Sequence, residues 1–215
     1  MDIRFSRRER RDLAVAWVAL GVAFTAFYFN GVVRSLFGGV PSTGALSILG
    51  VGFVLSMLTA GIGFLLHELA HKVVAVHYGQ LAEFRADYSM LFLAVMAGLA
   101  GFLFAAPGAV YHRGRITARE QGLIALAGPA VNVALVAVFA GVWIGGEAAG
   151  FDLLRTIGYL GMIINVLLAG FNMLPFGPLD GKKVMRWSRP VWAASAVPTI
   201  GGAIAFFLRP LGSVL

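Results

Sequence analysis

Apolar residues run through this chain in blocks of about 20, the length an α-helix needs to cross the hydrocarbon of a bilayer, and most of the charge falls between the blocks. Five blocks are clear, near 13–33, 45–77, 120–144, 153–174 and 190–213. The second carries no charge from Ala45 to Leu66, and its helix is expected to continue through His67 to His77 before breaking at Gly79. A sixth stretch, 90–110, contains Gly98, Gly101, Pro107 and Gly108, which weaken a straight helix. Residues 79–88 alternate weakly between apolar and polar, which predicts a short interfacial strand whose edge an extended peptide could join. The spacings Gly61/Gly63 and Gly122/Gly128 predict close helix contacts, as packing rather than chemistry. The pattern as a whole predicts an all-α membrane protein, a polytopic helical bundle of five to six membrane segments with a short strand or re-entrant segment near 79–110.

Composition agrees. Of 215 residues, 59% are hydrophobic and 13% charged, where soluble proteins carry roughly a quarter charged; the mean hydropathy is +0.85. One membrane-embedded domain over 1–215 is expected, with 1–12 as a cytoplasmic basic tail. Met1–Phe29 imitates a signal peptide, but its apolar part is too long and no small-residue cleavage site follows, so an uncleaved first span is expected. The net charge of +7 lies largely in Arg4, Arg7, Arg8, Arg10, Arg11 and in Lys182, Lys183, Arg186, Arg189. Basic residues beside spanning segments are the ordinary topology signal, and nucleic acid is not an expected partner. Trp17, Trp143, Trp187 and Trp192 fit interfacial anchoring.

Charge bias also orients the chain. With the Arg-rich N-terminus cytoplasmic, a spanning 90–110 would put both 111–120 and the basic 182–189 stretch outside. A 90–110 segment that enters and leaves on one side keeps both stretches cytoplasmic and places Glu147 and Asp152 outside, in keeping with the positive-inside tendency. A hairpin-like 90–110 is therefore expected, and His67 and His71 then lie toward the cytoplasmic end of their helix.

Those two histidines carry the chemistry. In His67-Glu68-Leu69-Ala70-His71 the imidazoles stand four residues apart, on one helix face, and can hold one metal ion together. Glu68 lies about 100° round the helix, close enough to polarise a water that the metal activates. Ionisable groups at membrane depth are costly and functional by default. The chain has no cysteine, so any transition metal must be held by His, Asp or Glu. His77 and His112 are expected at the interface rather than on the metal. A third ligand is needed. Asp180 is the strongest candidate, because Pro175 and Pro178 stop the preceding helix and turn the chain back. Glu83, which follows the motif helix closely, is the rival.

Three segments together resemble the site-2 protease family of intramembrane zinc metalloproteases, in a compact form without PDZ or nucleotide-sensing domain. They are His67-Glu68-Leu69-Ala70-His71, Gly128-Pro129-Ala130-Val131-Asn132, and the run Asn172…Pro175…Pro178-Leu179-Asp180-Gly181. The resemblance implies one Zn2+ per chain bound by His67, His71 and Asp180, Glu68 as general base, and a helical bundle with the metal below the cytoplasmic surface. The expected reaction is peptide hydrolysis within or near transmembrane segments of membrane-protein substrates, in a prokaryotic cell membrane. Asn132 and Asn172 are candidates to hold an unwound substrate backbone, since amides both donate and accept; bonding helix ends or neighbouring helices within the bundle is the equal alternative. The rival functions are a membrane metallopeptidase with a glutamate third ligand and a non-catalytic metal-binding protein or transporter. A transporter would array polar groups through both leaflets, whereas here they gather at one end.

Overall fold

A computed structural model describes residues 3–39, 43–102 and 108–208; Pro107 and the end of the last apolar block, 209–213, lie outside them. In chain order the elements are α1 (Arg7–Tyr28), α2 (Asn30–Phe37), α3 (Ala45–Ser56), a π-helical turn (Met57–Gly61), α4 (Ile62–His77), β1 (Leu81–Ala86), α5 (Tyr88–Ala100), β2 (Gly108–Arg113), α6 (Ala118–Ala149), α7 (Asp152–Asn172), α8 (Asp180–Trp187) and α9 (Arg189–Phe207). The π turn joins α3 to α4 without a break, giving one 33-residue helix over Ala45–His77. At 1.5 Å per residue it is about 50 Å long, more than a bilayer core requires.

Four helices among the described residues are long and apolar enough to cross a membrane: Arg7–Tyr28, Ala45–His77, Ala118–Ala149 and Asp152–Asn172. The protein is thus an all-α membrane protein with a small two-stranded sheet, β1 beside β2. The last block gives α9, 19 residues with Pro198 inside it, which is not among the four. Among the described residues the 90–110 stretch supplies no helix of membrane-spanning length. Its helix α5 has 13 residues, about 20 Å against a core of about 30 Å, and stops at Gly101 in the left-handed conformation. The chain leaves β1 at Ala86 and returns at Gly108, where an added Cβ would lie 2.3 Å from the Arg85 carbonyl oxygen. At the other end of the pair, Gln80 Nε2 donates to the Arg115 carbonyl at 3.2 Å. The strands are therefore antiparallel, and the excursion is the hairpin-like one the charge pattern favours.

The chain packs as two compact units. One comprises Arg4–Leu65 and Glu83–Tyr111, the other Met1–Ile3, Leu66–Ala82 and His112–Leu215. In the first, the basic N-terminal stretch is not a free tail. Ser6 caps α1 by accepting from the Glu9 amide at 3.0 Å, so 7–12 form its opening turns. Glu9 and Asp12, each 1% exposed, turn onto β1: Glu9 Oε1 accepts from the Phe84 amide at 3.0 Å and Asp12 Oδ2 from the Ala86 amide at 3.4 Å. Alternate N–H groups of a strand share one edge, and here two carboxylates occupy it. The β1 edge that the sequence left open to a peptide is thus closed at Phe84 and Ala86. Gly61 admits the Trp17 indole, which a Cβ would meet at 2.3 Å, and Trp17 Nε1 donates to the Met57 carbonyl at 3.1 Å.

In the second unit α6 and α7 form an antiparallel pair joined at Gly150, φ 69°. Gly158 and Gly161 of α7 let the backbone of Trp143 and the ring of Phe139 come within 2.3 and 2.2 Å of where a Cβ would stand. This small-residue packing is what apolar helices use where water supplies no driving force. Ala125, Met173, Val184 and Ala196 make a buried cluster, with Trp187 and Trp192 against it, that seats α8 and α9 on α6. Trp192 Nε1 donates to the Met173 carbonyl at 2.9 Å, so this tryptophan braces the end of α7.

Candidate metal centre

Each donor is placed by a local feature of the chain. The uninterrupted helix puts His67 and His71 one turn apart, rings 4.6 Å apart and nearly perpendicular. Met173 ends α7, and Pro175, Gly177 (φ 60°) and Pro178 turn the chain so that Asp180 opens α8. That return is tight: a Cβ on Gly181 would fall 2.1 Å from the Met173 carbonyl oxygen, so only glycine fits.

The result is a buried trio. His67, His71 and Asp180 are the group of histidine and acidic side chains, among the described residues, that could hold a metal ion. Nε2 of His67 and of His71 are 3.0 Å apart, and Asp180 Oδ2 lies 3.4 Å from the former and 3.0 Å from the latter. A tetrahedral zinc ion with ligands at about 2.1 Å would separate them by about 3.4 Å.

The outer ring nitrogens support the fit. His71 Nδ1 lies 2.7 Å from the Ile124 carbonyl oxygen and His67 Nδ1 2.6 Å from Asn132 Oδ1. Both acceptors call for a proton on Nδ1, which in a neutral ring turns the Nε2 lone pair inward. Two lone pairs and a carboxylate oxygen converging in a buried space repel one another unless a cation sits between them. Asp180 supplies the anion. Its burial works against charge, and the Lys183 ammonium beside it favours the charged form. Lys183 Nζ binds the other oxygen, Oδ1, at 3.1 Å, which leaves Oδ2 for the cluster. His112 is pushed down by burial, then by Lys183 and His71.

Two further residues complete the site. Glu68 is buried, within electrostatic reach of His67, Asp180 and Lys183, and its Oε2 has no hydrogen-bond partner among the described residues. Gly128 faces the imidazoles: a Cβ there would stand 2.5 Å from His71 Nε2 and 2.6 Å from His67 Nε2. Its pairing with Gly122 reads in the sequence as packing alone; the structure assigns packing to Gly122, which meets Trp187, and the site to Gly128.

The chain is 40% identical over 200 residues to the protein named "Putative zinc metalloprotease MJ0611" of Methanocaldococcus jannaschii, covering 92% of this chain and 94% of that one. The chain belongs to the site-2 protease family of zinc metalloproteases. It is also 32% identical over 184 residues to "Putative zinc metalloprotease Rip3" of Mycobacterium tuberculosis, covering 81% of this chain and 42% of that one. Over 178 residues it is 29% identical to "Putative zinc metalloprotease YwhC" of Bacillus subtilis, with 73% and 81% covered. No family model and no solved structure matches the chain.

Within this family member, the remaining expected site residues fall elsewhere. Glu83, the rival ligand, bonds Ser6 and pairs with Arg85 at 2.7 Å and is not in the metal group. Asn172 donates to the Leu168 carbonyl of its own helix at 2.9 Å, the helix-end alternative. Asn132 is fully buried behind His67, where it supports a ring. Asn165 and Lys183 are site residues that sequence reasoning missed, and Gly128, although inside one of the three family segments, reads there as packing. A lone amide in the otherwise apolar middle of α7 was the available signal for Asn165.

Proposed function

We propose that this protein is an intramembrane zinc metalloprotease that cleaves peptide bonds within or near membrane-spanning segments, in a prokaryotic cell membrane, with its N-terminus and active site toward the cytoplasm. The observation that carries this reading is the buried His67–His71–Asp180 trio, its two histidines on a membrane-length helix, beside a Glu68 oxygen with no hydrogen-bond partner among the described residues. His67, His71 and Asp180 would hold one zinc ion. When bound, zinc acts as a Lewis acid that makes water lose a proton near neutral pH and favours negative charge on a carbonyl oxygen.

The chain's own residues do the rest. Glu68 accepts the proton that the attacking water loses as its oxygen bonds to the scissile carbonyl carbon. The carbon–nitrogen bond then breaks, and Glu68 returns the proton to the leaving amine, so the products are a carboxylate and an amine. A helical substrate hides its carbonyls in hydrogen bonds and must unwind locally before it reacts. The apolar surroundings would favour substrates from the bilayer, and Lys183 and the basic α8 mark the aqueous side.

The test is cleavage of a model single-span protein by detergent-purified enzyme, with products mapped by mass. Cleavage inside the span, lost with chelator and restored by zinc, is expected. Glu68→Gln should retain zinc yet lose activity by about 10²- to 10⁴-fold. Full activity of Glu68→Gln would remove the base assignment, and cleavage confined to soluble tails would remove the intramembrane one.

A further inference from the structure

A metal-binding imidazole works only in one tautomer, because the nitrogen facing the metal must offer a lone pair. His71 is fixed directly: its Nδ1 faces a backbone carbonyl, that of Ile124, which can only accept. His67 has no such neighbour. Its Nδ1 faces Asn132, an amide whose two ends could in principle be exchanged.

What prevents the exchange lies two links further on. Asn165 Nδ2 is 2.8 Å from the Gly161 carbonyl oxygen, one turn back along α7. A carbonyl oxygen has no proton, so the amide end that faces it must be NH₂. Asn165 must then present Oδ1 to Asn132, at 2.8 Å, and Asn132 must answer with Nδ2. Its Oδ1 is thereby turned to His67 Nδ1 at 2.6 Å, and that nitrogen must carry the proton. Reversing any one link puts two oxygens or two donors face to face. Asn132 and Asn165 are 0% exposed and His67 4%, so bulk water does not relieve the mismatch.

We propose that Asn165, acting through Asn132, locks His67 in its Nδ1–H tautomer and is a positioning residue for the metal centre. Both imidazoles thus take their polarity from a backbone carbonyl, one directly and one through two amides. The proposal rests on the zinc-site reading only for what the tautomer serves; the tautomer itself is a property of the metal-free protein.

The test uses full-length, metal-free protein labelled with ¹⁵N-histidine in detergent, at pH about 8, above the ordinary imidazole range. Long-range ¹H–¹⁵N correlations report the tautomer of each ring, and the His67 signal is assigned by its absence in His67→Gln. A single Nδ1–H form is expected for His67. In Asn165→Leu a mixture with the Nε2–H form is expected, with zinc affinity, read by chelator competition, about 10- to 100-fold weaker. Asn165→Asp separates positioning from packing, because a buried, protonated carboxyl donates its O–H to the Gly161 carbonyl and accepts from Asn132 Nδ2 with its other oxygen. It should keep the tautomer even where it lowers Tm. An Nε2–H or mixed His67 in the unmodified protein would overturn the proposal whether or not any variant folds. So would an unchanged tautomer and zinc affinity in Asn165→Leu, or a changed tautomer in folded Asn165→Asp. A locked His67 in a protein that binds no zinc would instead retire the metalloprotease reading and leave the relay standing.

Discussion

Replacing Gly128 by alanine adds a single methyl group, and the geometry makes its consequence specific. The new Cβ would stand 2.5 Å from His71 Nε2 and 2.6 Å from His67 Nε2. Ordinary contact needs about 3.5 Å, so the nitrogens must retreat by about 0.9–1 Å, beyond the roughly 0.5 Å that a working site tolerates. Overpacking of this size costs about 1–3 kcal/mol, and if the metal-bound arrangement bears it, zinc affinity falls about 5- to 150-fold. The metal-free fold should feel less, because alanine is favoured over glycine inside a helix by about 0.8–1 kcal/mol. Chelator competition and thermal unfolding of metal-free protein read the two effects separately. Gly122→Ala is the control: its Cβ would meet Trp187 Cε3 at 2.4 Å, so it should lower Tm and spare zinc. Zinc affinity within about twofold of the unmodified protein in Gly128→Ala would refute the geometry, as would equal loss in both variants.

Other outcomes follow from the same contacts. Asp180→Ala should lose stoichiometric zinc while Glu83→Ala keeps it, by metal analysis after gel filtration; the reverse pattern would move the third ligand to Glu83. Lys183→Met removes the ammonium from Asp180 Oδ1. Because that lysine side chain is 41% exposed, solvent screening limits the loss of zinc affinity to about tenfold or less. His112 has a folded-state pKa below its unfolded value, so the unfolded chain binds the extra proton first. Its contribution to stability is present above the ordinary imidazole pKa and is lost as pH falls through it. Melting in metal-free protein from pH 8 to 5 should therefore show a shallower acid limb in His112→Gln, and an identical limb would contradict the direction.

The chemistry of this chain was legible where it depends on local spacing. His67 and His71 share a face because helices repeat every 3.6 residues, and Pro175 and Pro178 announce that Asp180 follows a break. The short strand was legible from alternation and the hairpin-like excursion from charge bias, because a 13-residue apolar helix cannot satisfy both ends of a bilayer. What escaped was pairing at a distance. Nothing near Asn165 in the chain names Asn132, 33 residues away, as its partner. Glu9 and Asp12 look like part of a solvated basic tail until Phe84 and Ala86 bring their amides to them. Gly128 reads as a packing glycine because the imidazoles it makes room for come from a helix more than 50 residues earlier. Lys183 reads as a topology signal, and its bond to Asp180 Oδ1 gives it a second role.

The metal centre is tested most directly by crystals of the zinc-loaded protein and an anomalous difference map collected on either side of the zinc edge. One peak per chain is expected, within about 2.3 Å of His67 Nε2, His71 Nε2 and Asp180 Oδ2 together. A peak bonded to Glu83 in place of Asp180, or no peak at the two imidazoles in a folded and zinc-saturated protein, would contradict the assignment.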